Sequence, residues 1–235
     1  MAKTDEEIRS AVRTSYAAIA LQQDSCCSPS PAQIGYDPDE LTDLPDEAVM
    51  GLGCGNPVAM AGIAEGDTVL DLGSGGGIDV FLAARKTGPT GRVIGVDMTP
   101  EMLERAEANA VRLGLGNVEF RQGLIEELPV ADGTVDVIIS NCVINLAPDK
   151  AAVFAEAFRV LRPGGRLVVS DMVTDGPLPE SIADDPENWA SCIGGALPES
   201  VYLEGIRTAG FVDVAVLKKE GRSPLFSITV EATRL

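Results

Sequence analysis

The sequence contains no histidine. This absence excludes a Ser-His-Asp triad, a Cys-His nucleophile pair and any histidine-ligated metal centre. Aromatic residues are also scarce, at 4% of the chain, so a buried core must be built mainly from Ala, Val, Leu and Ile. Such a core is feasible because 45% of the 235 residues are hydrophobic, and this length predicts one main domain.

Basic residues are few: 18 Lys and Arg stand against 36 Asp and Glu, which gives a net charge of −18. Such a surface repels phosphate backbones, so we expect no nucleic-acid partner. No apolar run reaches the roughly 20 residues needed to cross a bilayer. The first residues are charged and have no apolar signal core. We therefore expect no membrane partner and a cytoplasmic location.

Strand and helix patterns alternate from residue 67 onward. Continuous apolar strands between helices indicate a mostly parallel sheet with helices on both faces, whereas the last two strands alternate in polarity and predict an antiparallel edge. The predicted strands are 68–72, 92–97, 118–123, 135–140, 166–171, 211–218 and 225–232. The predicted helices are 78–87, 100–113, 150–161 and 198–209.

The segment before this alternation differs in composition. An amphipathic helix is predicted over residues 3–22, followed by a loop around Cys26 and Cys27 and then a stretch rich in Pro, Asp and Gly, with a short helix predicted at 45–52. We interpret residues 1–60 as a helical and loop cap and 61–235 as the main domain. A long loop at 175–200 belongs to the main domain.

The turn DLGSGGG at residues 71–77 follows a strand and opens a helix. Glycines there allow positive φ and let the backbone approach a ligand, and Asp97, 20 residues after Gly77, ends the next strand where it can bond ribose hydroxyls. That spacing would also suit a dinucleotide. Asp71, however, would sit poorly beside a pyrophosphate and suits a cationic sulfonium or an ammonium.

Three strings together resemble class I S-adenosylmethionine-dependent methyltransferases: VLDLGSGGG at 69–77, GVDM at 95–98 and LRPGG at 161–165. The resemblance covers about residues 60–232 and implies a Rossmann-like α/β fold, with a seven-stranded sheet whose last strand is antiparallel. It implies that the turn meets the cofactor, that Asp97 holds the ribose and that Met98 packs on adenine. The cofactor residues it implies are Asp71, Gly73, Ser74, Gly75, Asp97, Met98, Leu124, Ile125, Glu126 and Asn141.

The cysteines carry a narrower resemblance. Five is an odd number, which argues against a static disulfide framework. GLGCGNP at 51–57, SNCVINL at 140–146 and WASCIGGAL at 189–197, together with the N-terminal cysteines, resemble arsenite methyltransferases. This implies that As(III) is bound by Cys142 and Cys192, with Cys54 and one N-terminal cysteine in arsenic handling or redox.

The family pattern has a single cysteine in the N-terminal loop, and Cys26 is our choice for it, with Cys27 adjacent. Many members extend well beyond the position of Leu235, so the resemblance leaves the number of methyl groups added open.

The chemistry agrees with this resemblance. As(III) is a soft centre that prefers thiolates, so we expect the site to lower cysteine pKa values. The arsenic lone pair carries no proton, so the transfer needs no general base. Transfer oxidises arsenic, and a dithiol, for which we expect Cys54 with Cys26 or Cys27, can return two electrons. An external thiol reductant, such as glutathione or a thioredoxin-like protein, would then reset the pair, and arsenite would enter as a thiol adduct.

Other readings stay open at this point. A methyltransferase for a small organic acceptor would need Asp171, Glu126 or Tyr202 as a base. A non-catalytic arsenic- or metal-binding protein would use the cofactor only as a ligand. A structural zinc site is disfavoured because no C-x-x-C pair is present. The oligomeric state is not indicated by the sequence.

Overall fold

A computed structural model describes residues 4–21, 34–179, 182 and 186–235. The strands are β1 Thr68–Leu72, β2 Arg92–Asp97, β3 Val118–Gln122, β4 Val135–Asn141, β5 Leu161–Thr174, β6 Leu197–Pro198, β7 Val212–Arg222 and β8 Leu225–Thr233. The helices are α1 Asp5–Leu21, α2 Pro38–Leu41, α3 Pro57–Met60, α4 Ile78–Thr87, α5 Pro100–Leu113, α6 Lys150–Val160, α7 Pro186–Ala190 and α8 Glu199–Thr208, with a 3-10 turn at Ile144–Leu146.

One sheet organises the domain, in the order β3-β2-β1-β4-β5-β8-β7. The strands from β3 to β5 are parallel, and β8 runs antiparallel to both β5 and β7. The central strands are almost wholly buried because their runs are apolar on both sides. The predicted mostly parallel sheet with an antiparallel last strand is confirmed. The described strands include one beyond the predicted seven, the two-residue β6, which pairs with the end of β5.

Two core layers hold the helices against the sheet. One contains Phe154 and Tyr202 from α6 and α8, and the other contains Phe81 and Ala110 from α4 and α5. None of the described helices is long and apolar enough to span a membrane.

The helix predicted at 45–52 does not form. Ala48 N and Val49 N donate to Pro45 O and Asp46 O in a single turn, and the chain then extends. The cause lies in Gly51 and Gly53, whose φ values are 65° and 124°. This extended loop crosses the carboxyl ends of the strands and brings Cys54 to them.

Candidate functional site

A glycine turn between β1 and α4 forms one wall of a pocket at the carboxyl ends of the strands. Gly73 N and Ser74 N donate to Val96 O at 2.7 and 3.0 Å, which holds the turn against the end of β2. Gly73 has a φ of 69°, and a Cβ there would lie 2.4 Å from the methyl groups of Val143. Both the backbone angle and the close approach therefore require glycine at this position.

The structure brings all of the predicted cofactor residues to this one pocket. The set comprises Asp71, Gly73, Ser74, Gly75, Asp97, Met98, Leu124, Ile125, Glu126 and Asn141. The Ser74 hydroxyl is buried and has no hydrogen-bond partner among the described residues, so the pocket offers an unsatisfied polar group. The roles of these residues toward a cofactor stay predictions.

Helix α1 forms a wall of the same pocket that the sequence did not indicate. Arg9, Val12 and Tyr16 line it, and the Arg9 guanidinium pairs with Glu126 at 3.1 Å. Glu126, which was predicted to lie near the adenine edge, therefore also forms an ion pair with α1 at this wall of the pocket. The partner of Arg9 lies 117 residues away, so no local pattern could have revealed the contact.

Buried carboxylates line the pocket. Burial raises the pKa of Asp71 well above its usual range, and the neighbouring Asp79 and Asp97 raise it further. Burial also raises the pKa of Asp79 to about 6, although hydrogen bonds from Tyr36 and Asn141 act to lower it. Burial likewise raises the pKa of Asp97, although hydrogen bonds from backbone N–H groups act to lower it. A pocket with such groups favours a cationic ligand, because the cation stabilises their charged forms.

Asp79 was missed by sequence reasoning. The available signal was an aspartate immediately after the glycine turn, within the otherwise apolar run Ile78–Leu82. Tyr36 donates to its carboxylate at 2.8 Å, and both side chains are buried.

The Asn141 side chain ties the Cys54 loop to the end of β4. Its carbonyl oxygen accepts from Cys54 N at 2.8 Å and from Gly55 N at 3.2 Å. Its amide nitrogen donates to Gly55 O at 2.7 Å and to the Tyr36 hydroxyl at 2.9 Å. The sequence predicted only a backbone role for Asn141, toward the methionine part of a cofactor, and that role stays a prediction.

Cys54, Cys142 and Cys192 meet beside the pocket. Cys54 and Cys142 lie side by side with a Cα–Cα separation of 5.6 Å, which permits a disulfide between residues 88 positions apart in sequence. The Cys192 thiol donates to Cys142 O at 2.9 Å and contacts the Tyr16 hydroxyl at 3.9 Å. Cys142 and Cys192 both have a φ of 63°, an unusual angle that turns each out of its preceding element.

The predicted redox pair had Cys54 with Cys26 or Cys27. Both N-terminal cysteines lie outside the described residues, so that pairing stays a prediction, and the described partner of Cys54 is Cys142. Trp189 and Met98 pack against the cluster that holds Cys142 and Cys192. Met98 thus lies between the predicted cofactor pocket and the thiols.

The expectation of lowered cysteine pKa values is wrong for Cys192. Burial and the charge of Asp171 raise the pKa of its thiol to about 12, while Tyr16 and Lys150 act in the opposite direction. The physical reason is desolvation: the thiol lies 7% exposed in an apolar cluster. Binding of a soft ligand by this sulfur therefore has to release a proton.

A buried acid and a buried base flank the thiols. One carboxylate oxygen of Asp171 lies within 4.8 Å of both the Cys54 and Cys142 sulfurs. Burial raises the pKa of Asp171 to about 7, against the charge of Lys150 and the hydrogen bond from Tyr202. Burial lowers the pKa of Lys150 to about 8, and its ammonium lies 5.2 Å from the centre of the Trp189 ring.

The sheet order and the glycine turn define a class I S-adenosylmethionine-dependent methyltransferase fold. The methyltransferase-domain family matches residues 63–224. An arsenic(III) S-adenosylmethionine methyltransferase from Chlamydomonas reinhardtii superposes with a TM-score of 0.77 at 40% identity, over 88% of this chain and 75% of that one.

Related sequences place the chain in a narrower family within this class of methyltransferases. The arsenite methyltransferase of Halobacterium salinarum is 44% identical over 94% of this chain and 62% of its own length. That of Homo sapiens is 36% identical over 82% of this chain and 55% of its own. The chain belongs to the arsenite methyltransferase family. It spans about three fifths of the length of the curated relatives it matches.

Proposed function

We propose that this protein transfers a methyl group from S-adenosylmethionine to As(III) held by Cys142 and Cys192, with Cys54 as a third sulfur. The products are methylated arsenicals and S-adenosylhomocysteine. The observation that carries the proposal is the convergence of three cysteines, from distant parts of the sequence, beside a pocket lined by buried carboxylates. Thiolates are the protein ligands that a soft centre prefers.

The negative carboxylates of the pocket are complementary to the positive sulfonium of the cofactor. S-adenosylmethionine supplies a methyl group on a positively charged sulfur. Asp71 and Asp79 are buried and Asp97 is half-buried, and the pKa values of all three are raised, so a cation between them lowers those values and gains binding free energy. The unpartnered Ser74 hydroxyl and the Asp97 carboxylate offer hydrogen bonds to its polar groups.

A thiol reductant is a co-substrate in this proposal. A disulfide between Cys54 and Cys142, which their proximity permits, occupies two of the proposed arsenic ligands and must be opened before arsenic binds. Two electrons from glutathione or a thioredoxin-like protein convert it to two thiols and leave the donor oxidised. A reducing compartment such as the cytoplasm suits that cycle. Arsenite, as a thiol adduct, then exchanges its ligands for the protein sulfurs, and the protons of the protein thiols, that of Cys192 among them, pass to the departing thiolates.

The test is a methylation assay on purified protein with S-adenosylmethionine, glutathione and arsenite. Arsenic species are separated by chromatography and detected by elemental mass. We expect methylated arsenic from the wild type and a loss of at least about 100-fold in Cys142→Ser and Cys192→Ser, since misplacing the reacting atom by 1 Å costs about that much. Ser191→Ala, an exposed neighbour of Cys192, is the matched control and should keep wild-type activity.

Unchanged arsenite with folded wild-type protein would reject the proposal. So would full activity in both cysteine variants. The second candidate is an organic acceptor, for which Asp171 beside the thiols would serve as base. Methyl transfer to an organic acceptor that survives alkylation of every thiol would favour that candidate.

A further inference from the structure

The side chain of Asp171 is buried, an environment that disfavours an ionised carboxylate. It lies on β5 at the end of the buried run Leu167–Asp171 and is 1% exposed. Taking an ionised carboxylate out of water is costly unless nearby groups compensate. Ligation of arsenic by three sulfurs does not require the Asp171 carboxylate, so another role must explain why this carboxylate is buried here.

Hydrogen bonds fix the direction of this carboxylate. Oδ2 accepts from the Tyr202 hydroxyl at 3.0 Å, and Oδ1 accepts from Met172 N at 3.2 Å. Tyr202 is itself fully buried on α8, so the carboxylate is held by a rigid neighbour. The backbone N–H of Asn145 also donates to this carboxylate. A carboxylate accepts about four hydrogen bonds, so these three donors leave capacity for a further interaction.

Lys150 places a positive charge near Asp171, but its ammonium donates to backbone carbonyls rather than to the Asp171 carboxylate. Its ammonium donates to Ala147 O at 3.0 Å and to Asn145 O at 3.4 Å. Its charge favours the ionised form of Asp171. The Asp171 carboxylate thus stays directed at the Cys54 and Cys142 sulfurs, within 4.8 Å of both.

The reaction moves a positive charge toward these sulfurs. Arsenic bound by three thiolates is neutral. Its lone pair forms the As–C bond while the C–S bond of the sulfonium breaks, and that bonding pair returns to the cofactor sulfur. The cofactor becomes neutral, and the methylated arsenic carries the positive charge. A fixed anion beside the arsenic therefore interacts more favourably with the transition state than with the ground state, and such a difference raises kcat.

We propose that the Asp171 carboxylate stabilises the positive charge that arsenic gains as the methyl group arrives. This inference rests on the proposed function. Asp71, Asp79 and Asp97 lie on the cofactor side, where the charge starts, and Asp171 lies on the sulfur side, where it ends. These four acids therefore lie along the path of the charge.

The test compares Asp171→Asn with wild type at pH 8, measuring kcat, both KM values and arsenite affinity from the quenching of Trp189, the single tryptophan. We expect kcat to fall about 100-fold, comparable to the loss of one preorganised electrostatic contact. Arsenite KM and the Trp189 titration should stay within about two-fold, since ground-state binding is kept. Asp175→Asn, an exposed aspartate four residues later, is the matched control and should behave as wild type.

A second pair of variants tests whether the loss of activity comes from the lost charge or from misfolding. Asp171→Glu and Asp171→Gln share one length and differ in charge, so the glutamate variant should exceed the glutamine variant in kcat by a similar factor. Equal kcat within this pair, or wild-type kcat in Asp171→Asn, overturns the inference. A loss of arsenite affinity that accounts for the whole loss of activity also overturns it, because Asp171 would then act as a ligand. Absence of methylated arsenic in the wild type would instead reject the proposed function.

Discussion

At the residue scale, the site depends on side chains whose partners are distant in sequence. The residue types at Cys142 and Cys192 pointed to thiol chemistry before any coordinates. The Asn141 side chain did not stand out, because its bonds to Cys54, Gly55 and Tyr36 cross 86 to 105 residues. Residue type therefore predicts thiol chemistry at these positions, whereas the hydrogen bonds that hold the surrounding loops follow only from the folded chain.

Asn141→Ala should loosen the Cys54 loop. Losing these hydrogen bonds inside the protein should lower the free energy of unfolding by about 1–3 kcal/mol and shift the Cys54–Cys142 pair toward the reduced form. Urea unfolding and equilibration with glutathione buffers measure the two effects. Asn117→Ala is the control, since Asn117 bonds Ala84 O and Gly88 O far from the thiols. It should lose stability without changing the thiol equilibrium, and an equal redox shift in both variants would contradict the prediction.

At the scale of elements, α1 links the two halves of the site. Its periodicity predicted a helix with an apolar face, and that face buries Ile8 and Val12. The same helix places Tyr16 against Cys192 and Arg9 against Glu126. Periodicity reports that a face is buried but not what it covers, so the position of α1 over the pocket was not predictable.

Arg9→Met should weaken cofactor binding by about two- to five-fold, the range of a partly exposed ion pair of up to 1 kcal/mol. The methionine keeps the aliphatic stem, so the change isolates the charge. Calorimetric titration with S-adenosylhomocysteine measures the affinity, and kcat at saturating cofactor should stay unchanged. Arg13→Met, an exposed change on the same helix, should bind as wild type. Unaltered affinity in Arg9→Met at low salt would show that this ion pair does not hold α1 closed.

At the scale of the whole molecule, most strands and helices were predictable because apolar runs and glycine turns are local signals. The bounds of β1, β2, α4 and α5 agree with the predictions. The insertion of β8 between β5 and β7 was not predicted, since alternation alone gives a hairpin but not its neighbour. The carboxylates of the site likewise come from three strands and helix α4, and their mutual effect appears only after folding.

These acids should make the ligand-free protein more stable at pH 5.5 than at pH 8. The folded pKa values of Asp79 and Asp171, about 6 and about 7, exceed their usual value of 3.8. These two acids therefore bind more protons in the folded state than in the unfolded state in this window, and their contribution to stability falls as pH rises through the folded pKa values. Lys150, whose folded pKa is lowered to about 8, opposes them only near pH 8. Urea unfolding should show a difference on the order of 2 kcal/mol.

Asp171→Asn should reduce that pH dependence, whereas Asp175→Asn should not. The surface acids Glu119 and Glu156, whose pKa values are lowered by arginines, stay ionised across this window and do not contribute. A free energy of unfolding that rises from pH 5.5 to 8 would contradict the assignment.

The wide spacing of the three thiols has a consequence for chain entropy. Cys54 lies 88 residues before Cys142, and Cys192 lies 50 residues after it. One arsenic atom bound to all three would close two long loops of the polypeptide, a constraint felt mainly by the unfolded ensemble. By mass action the folded population would then grow with the arsenic concentration. Under the proposed function, arsenic binding would thus stabilise the fold, and release of each methylated product would return the chain to its less constrained form.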